Sequence, residues 1–175
     1  MGLREQPGFG FGGLGMIKSR HSVHIDRPVH EVFEYLKDHE NRIYWQGNLT
    51  ESEHEKIAKG TRVTEVRNVL GRRVEIQGEV TEFEEDKRLT FVGHGPAVKR
   101  LEYHYILTPE ADGTRFSTEV DLELSEVFGI ATGVIQKLTD REIDHSHNTL
   151  KDILEDQKAH SKVKELPTHR HHKKP

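Results

Sequence analysis

The chain has no cysteine among its 175 residues, which excludes a disulfide framework, a thiolate nucleophile and any cysteine-based zinc or iron-sulfur site. No stretch approaches the roughly 18 consecutive apolar residues of a membrane-spanning helix. The opening MGLREQPGFGFGGLG has no continuous apolar run of the kind a secretory signal needs, so a cytoplasmic protein is expected. A phosphate-cradling glycine loop, a dinucleotide fingerprint and a serine-nucleophile elbow are also missing. Charge of one sign is scarce: 26 basic against 30 acidic side chains give a formal net charge of -4, which offers no general attraction to nucleic acid or anionic lipid. Neither nucleic-acid binding nor stable membrane insertion is expected.

Histidine, by contrast, is plentiful, with 13 in the chain. His145 and His147 are two apart on an expected helix and point in divergent directions, while His94 and His104 have no obvious third ligand. No metal and no cofactor are indicated. The hydrophobic fraction of 33% is low and the charged fraction of 32% is high, as expected for one domain of modest core diluted by polar ends. Residues 1–15 read as a glycine-rich leader, 16–157 as the folded domain and 158–175 as a basic, His-rich tail.

The longest periodic run lies between Glu126 and Glu155 and holds no proline. Ile135, Leu138, Glu142 and Ser146 share one stripe, which Val134, Ile143, His147, Leu150 and Leu154 widen, so a single long helix with a broad buried face is expected. Gly129 and Gly133 would weaken such a helix if interior, unless a loop runs up to Thr132. Near the other end, Ile17, Val23 and Ile25 mark a strand, and after Pro28 the segment VHEVFEYLK has the spacing of a short amphipathic helix. A second short helical segment is expected over HENRIYW.

From Leu49 onward the period becomes two. Val74, Ile76, Gly78 and Val80 share a face, with a phase shift expected near Phe83. Leu101, Tyr103, Tyr105 and Leu107 alternate with Glu102, His104 and Ile106, and Phe116, Thr118, Val120, Leu122 and Leu124 with Ser117, Glu119, Asp121 and Glu123, while PEADGT between them reads as a hairpin turn. The phase of Asn68 can be taken either way. A sheet with one wet face needs a cover, and the last helix is the one element large enough to supply it. The expected fold class is α+β, a curved antiparallel sheet of about seven strands around a long C-terminal helix, with two short helices after the first strand.

DRPVHEVFEYLKD, the YW that follows, GRRVEIQGEVTEFEEDKRLTF, YHYILTPEADGTRFS and the final LKDILE, taken in that order, resemble the START-like or helix-grip superfamily, in its polyketide cyclase/dehydrase and lipid-transport branch. The resemblance implies an elongated apolar cavity between sheet and helix, and a small hydrophobic molecule (lipid, polyketide or aromatic compound) as partner. Binding or transport of such a ligand is the first function expected. A polyketide cyclase or dehydratase using general acid/base chemistry is the alternative, and a protein-interaction domain is a third.

Candidate ligand-binding residues follow from strand phase and from the position of the expected mouth. Tyr44 and Trp45 fall where the short helices would meet the cavity, and their displacement is the expected route of access. Tyr103, Tyr105 and Thr118 are phased inward; Asn68, His147, Gly129 and Gly133 complete the set. The inward strand positions read as mostly apolar or hydroxyl-bearing, with Glu119 and Asp121 pointing away, so no catalytic residue is assigned.

Overall fold

A computed structural model describes residues 15–54, 56–125 and 130–156. Seven strands form one antiparallel sheet: β1 (Ile17–Ile25), β2 (Leu49–His54), β3 (Arg62–Val69), β4 (Arg72–Glu84), β5 (Arg88–Gly95), β6 (Val98–Glu110) and β7 (Gly113–Leu124). Their order is β1-β7-β6-β5-β4-β3-β2, so β2 to β7 form a meander and β1 joins at the far side of β7. Helix α1 (Val29–Lys37), a 3-10 turn (His39–Asn41) and helix α2 (Arg42–Trp45) follow β1, and helix α3 (Thr132–Glu155) ends the described chain. This is the helix-grip arrangement expected from the order of the sequence patterns.

The helix α3 is shorter than its periodic run. Its cap is Ala131, so Gly133 lies in the first turn, where the interior-glycine penalty does not apply. At 1.5 Å per residue, the helix still extends about 36 Å. It is tied along its length to β1 and the residues that follow it. Ser19 Oγ donates to Asp140 Oδ1 at 2.5 Å, Lys151 Nζ to the His24 carbonyl at 2.8 Å and Arg27 Nε to the Leu154 carbonyl at 2.8 Å. Gly129, residues 1–14 of the leader and the basic tail lie outside the described residues.

The strand phases translate directly into a buried face. Phe116 and Val120 on β7, Leu101, Tyr105 and Leu107 on β6, and Val74, Ile76 and Val80 on β4 all face the core, joined by Val32, Phe33 and Leu36 of α1 and Leu150 and Leu154 of α3. The expected shift of phase on β4 is a bulge between Val80 and Glu82 in its pairing with β5. At the β6-β7 hairpin, glycine is required by close approach: a Cβ on Gly113, whose φ is +152°, would lie 2.2 Å from the Ile25 carbonyl oxygen.

Candidate ligand-binding site

The interior is hollow where β3, β4, β6 and β7 face the first half of α3. A cavity of about 180 Å³ is walled there by Val74, Ile76, Leu101, Val120, Ile135 and Ile143, with Arg67, Tyr103 and Glu142 among its polar members. Cavities of about 150 Å³ with apolar linings hold a molecule the size of benzene. The outer part of the wall is formed by Asn68 and Leu70 at the β3-β4 turn and by Leu138 on α3. Leu70 is 50% exposed, and it sits at φ +53° beside Gly71 at φ +77°. Both residues of this two-residue turn are left-handed, a conformation that suits the twist of a hairpin but is unusual for leucine.

A smaller annex of about 20 Å³ adjoins the cavity and shares Asn48, Arg67, Tyr103, Glu142 and Ile143 with it. The rest of its lining is Trp45, Gln46, Tyr105, Thr118, Ser146 and His147. Register explains why these residues meet. Tyr105 on β6 pairs with Thr118 on β7, and Thr118 in turn pairs with His21 on β1. Helix α3 brings His147 over this row, where its Nε2 and Thr118 Oγ1 share a hydrogen bond of 2.7 Å. Burial, with His21 nearby, pushes the His147 imidazole down to about 4 despite the opposing Asp144, so it is neutral at pH 7.

The wall also carries a buried ionic group. Val63, Glu65 and Arg67 are all buried on β3, which places the two charged side chains on the inner face. Arg42 Nη1 lies 2.5 Å from Glu65 Oε1, and Arg67 donates to Glu65 Oε2 from Nε at 3.1 Å and Nη2 at 2.8 Å. Burial by itself would raise the Glu65 carboxyl, but Arg42 and Arg67 outweigh it and hold the group at about 2. Gln46 extends the network: its Oε1 accepts from Arg67 Nη2 at 2.9 Å, and its Nε2 donates to the Tyr105 hydroxyl oxygen at 2.6 Å. Burial raises the pKa of Tyr105. The Arg67 guanidinium lies 4.9 Å from the centroid of the Tyr103 ring, a cation-π geometry.

Short helix α2 supplies the other side of this network. Arg42 and Trp45, three residues apart, share its buried face, whereas Ile43 and Tyr44 are 45% and 39% exposed. The Trp45 ring packs against Tyr105 and Phe116 at centroid distances of 5.9 and 6.1 Å.

Of the residues singled out from the sequence, the structure therefore brings together Trp45, Tyr103, Tyr105, Thr118 and His147. Asn68 is exposed at the rim, where its Oδ1 accepts from the Gly71 N–H at 2.9 Å. Tyr44 faces outward and lines neither cavity, and Gly133 is exposed with open space around it. Arg42, Gln46, Asn48, Glu65, Arg67 and Glu142 were not singled out. The pattern Val63, Glu65, Arg67, Val69 pointed to two of them, because opposite charges in phase with valines on a strand mark a paired buried site. Glu142 was legible as a carboxylate on the apolar stripe of the last helix.

Comparisons with known proteins agree with this architecture. A START superfamily protein from Mycobacterium smegmatis superposes with a TM-score of 0.66 at 14% identity, covering 80% of this chain and 97% of that one. An aromatase/cyclase, Zhui, from Streptomyces sp. R1128 gives 0.66 at 15% identity, covering 85% and 96%. The TTHA0849 protein of Thermus thermophilus gives 0.67 at 22% identity, covering 78% and 96%. These likenesses establish a shared fold. No curated protein matches by sequence, and among the described residues no helix is long and apolar enough to cross a membrane. The family described as polyketide cyclase / dehydrase and lipid transport matches residues 16–155, and the chain belongs to that family.

Proposed function

We propose that this protein binds a compact hydrophobic molecule between its sheet and the first half of α3. The observation that carries the reading is the cavity of about 180 Å³ whose deep wall is aliphatic and whose inner end is polar. Apolar area removed from water supplies the affinity, and a few fixed polar groups supply orientation. Trp45 is 3% exposed and wedged among aromatic rings. The β3-β4 turn and Leu138 are therefore a better route of access than displacement of α2. A filled interior would have favoured a protein-interaction domain.

Native mass spectrometry of gently purified protein, with extraction of retained compounds, tests the reading. Trp45 lines the annex and is the only tryptophan, so its fluorescence reports occupancy. A retained hydrophobic compound or a saturable fluorescence change supports binding. No retained compound and no change across a broad hydrophobic panel would overturn it.

A cyclase or dehydratase is the second reading, favoured by one observation: Glu142 and Tyr103 both face the cavity beside Arg67. A carboxylate, a phenol and a guanidinium are the groups that move a proton from carbon and hold the resulting enolate. Turnover of a small β-dicarbonyl compound, lost on Glu142→Gln, would move the assignment from carrier to enzyme.

A further inference from the structure

The polar end of the interior carries hydrogen-bond donors in excess of what its own acceptors use. Arg42 and Arg67 face one buried carboxylate, Glu65, so this group of three holds one net positive charge. Among the described residues, Arg67 spends four of its five N–H hydrogens, on Glu65, Gln46 and Asn48, leaving one on Nη1. Trp45, 3% exposed, has an indole N–H with no partner among the described residues, and a buried donor left unsatisfied is destabilising. Both side chains line the annex. The other carboxylate on its wall, Glu142, balances that charge in the overall count, but it is half-buried. Its Oε1 already accepts from the Asn48 N–H at 3.1 Å and from Ser146 Oγ at 3.3 Å. Water damps its field more than that of Arg67, which is 4% exposed.

Resting on the ligand-binding reading above, we propose that the ligand is a one- or two-ring hydrophobe, or a molecule of similar bulk, bearing a carboxylate. Its apolar body fills the cavity and its carboxylate meets Arg67 and Trp45. The sizes agree: the cavity of about 180 Å³ exceeds what a single ring needs, and the annex of about 20 Å³ admits one water-sized group. One carboxylate oxygen enters the annex and the other stays at its opening. A buried carboxylate is tolerated only where charge and donors meet it, and Arg67 with Trp45 supplies both.

The test is a matched series of 2-naphthoate, 2-naphthamide and naphthalene, titrated by calorimetry into the full chain at pH 7.5. The expected order of affinity is acid, amide, hydrocarbon, with the acid at least about 10-fold tighter than naphthalene, since a site built to bond a polar group rejects the analogue lacking it. Trp45→Phe should reduce the acid's advantage several-fold while leaving naphthalene within about 2-fold. Arg67→Lys, which keeps the charge opposite Glu65, should reduce the advantage further; if it fails to fold, the wild-type series and Trp45→Phe still decide. Equal affinity for acid and hydrocarbon overturns the carboxylate assignment and leaves the binding reading intact. An advantage unchanged by Trp45→Phe also overturns it. Binding of none of the three, with no response to the broader panel, overturns both.

Discussion

Where α1 and the second half of α3 meet the sheet, Phe33, Phe116 and Leu150 are at most 1% exposed. Where the first half of α3 meets it, Val74, Ile76, Leu101, Val120 and Ile135 are nearly as buried, yet they leave about 180 Å³ between them. Both regions have the same alternation in their strands and the same helical stripe above them. The difference is bulk: aromatic rings fill the first, and short branched side chains face one another across the second. Between them lies a belt of Arg42, Gln46, Glu65, Arg67, Tyr105, Thr118 and His147, all buried. Burial alone thus does not separate core from site; what a side chain reaches across to does.

The contrast can be broken most severely at the belt. Glu65→Ala leaves Arg42 and Arg67 buried without their carboxylate, and a loss of about 3–5 kcal/mol is expected in urea unfolding. A loss below about 1 kcal/mol would mean that water reaches the two guanidinium groups. In the filled region, Leu150→Ala should be destabilising by about 3 kcal/mol through transfer and cavity contributions together.

The belt also makes a distinct contribution to pH dependence. His147 is held near 4 when folded, against about 6.5 when unfolded. The unfolded chain therefore takes up the proton first, and stability falls as pH drops from about 6.5 towards 4, then levels off for this group. Glu65 behaves separately. Its folded value of about 2 lies below the ordinary 4.5, so its contribution is present above about 4.5 and disappears as pH falls towards 2. His147→Gln should remove about 2 kcal/mol of the dependence between pH 6.5 and 4.5. An unaltered slope there would show that His147 is hydrated.

The hollow region should respond in the opposite sense to added bulk. Ile135→Phe projects a larger side chain into existing space, so stability should change by no more than about 1 kcal/mol, while ligand affinity drops at least about 10-fold. A stability loss of several kcal/mol with binding retained would place the ligand elsewhere. The smallest effect is expected at the rim. Leu70→Asn relieves the left-handed backbone strain and should raise stability by about 0.5–1 kcal/mol. Faster ligand release from this variant, measured by stopped-flow fluorescence of Trp45, would identify the β3-β4 turn as the route of access.

Much of the frame could be read directly. Two-residue periodicity put Tyr105, Thr118, Phe116 and Val120 on the inner face because alternate side chains on a strand must point the same way. The helical stripe placed His147 and Leu150 against them for the analogous reason. Asn68 resisted, since a reading inward or outward depends on the phase of β3, and that phase is settled by pairing: Val63, Glu65, Arg67 and Val69 oppose Gly78, Ile76, Val74 and Arg72. Tyr44 and Trp45 are adjacent in sequence but separated by the 100° step of a helix, and only docking of α2 selects which of them faces inward.

Local periodicity sufficed for the order of elements and for the composition of the buried faces, since both depend on residues a few positions apart. The void and the ionic belt depend on distances between side chains that are far apart in sequence. Arg42 finds Glu65 only when α2 is docked, and the space beside Ile135 exists only because four strands and a helix meet there with too little bulk to close it. The long helix read from its stripe is a cover over the filled region and a wall of the hollow one, and that division arises from packing, which no local pattern encodes.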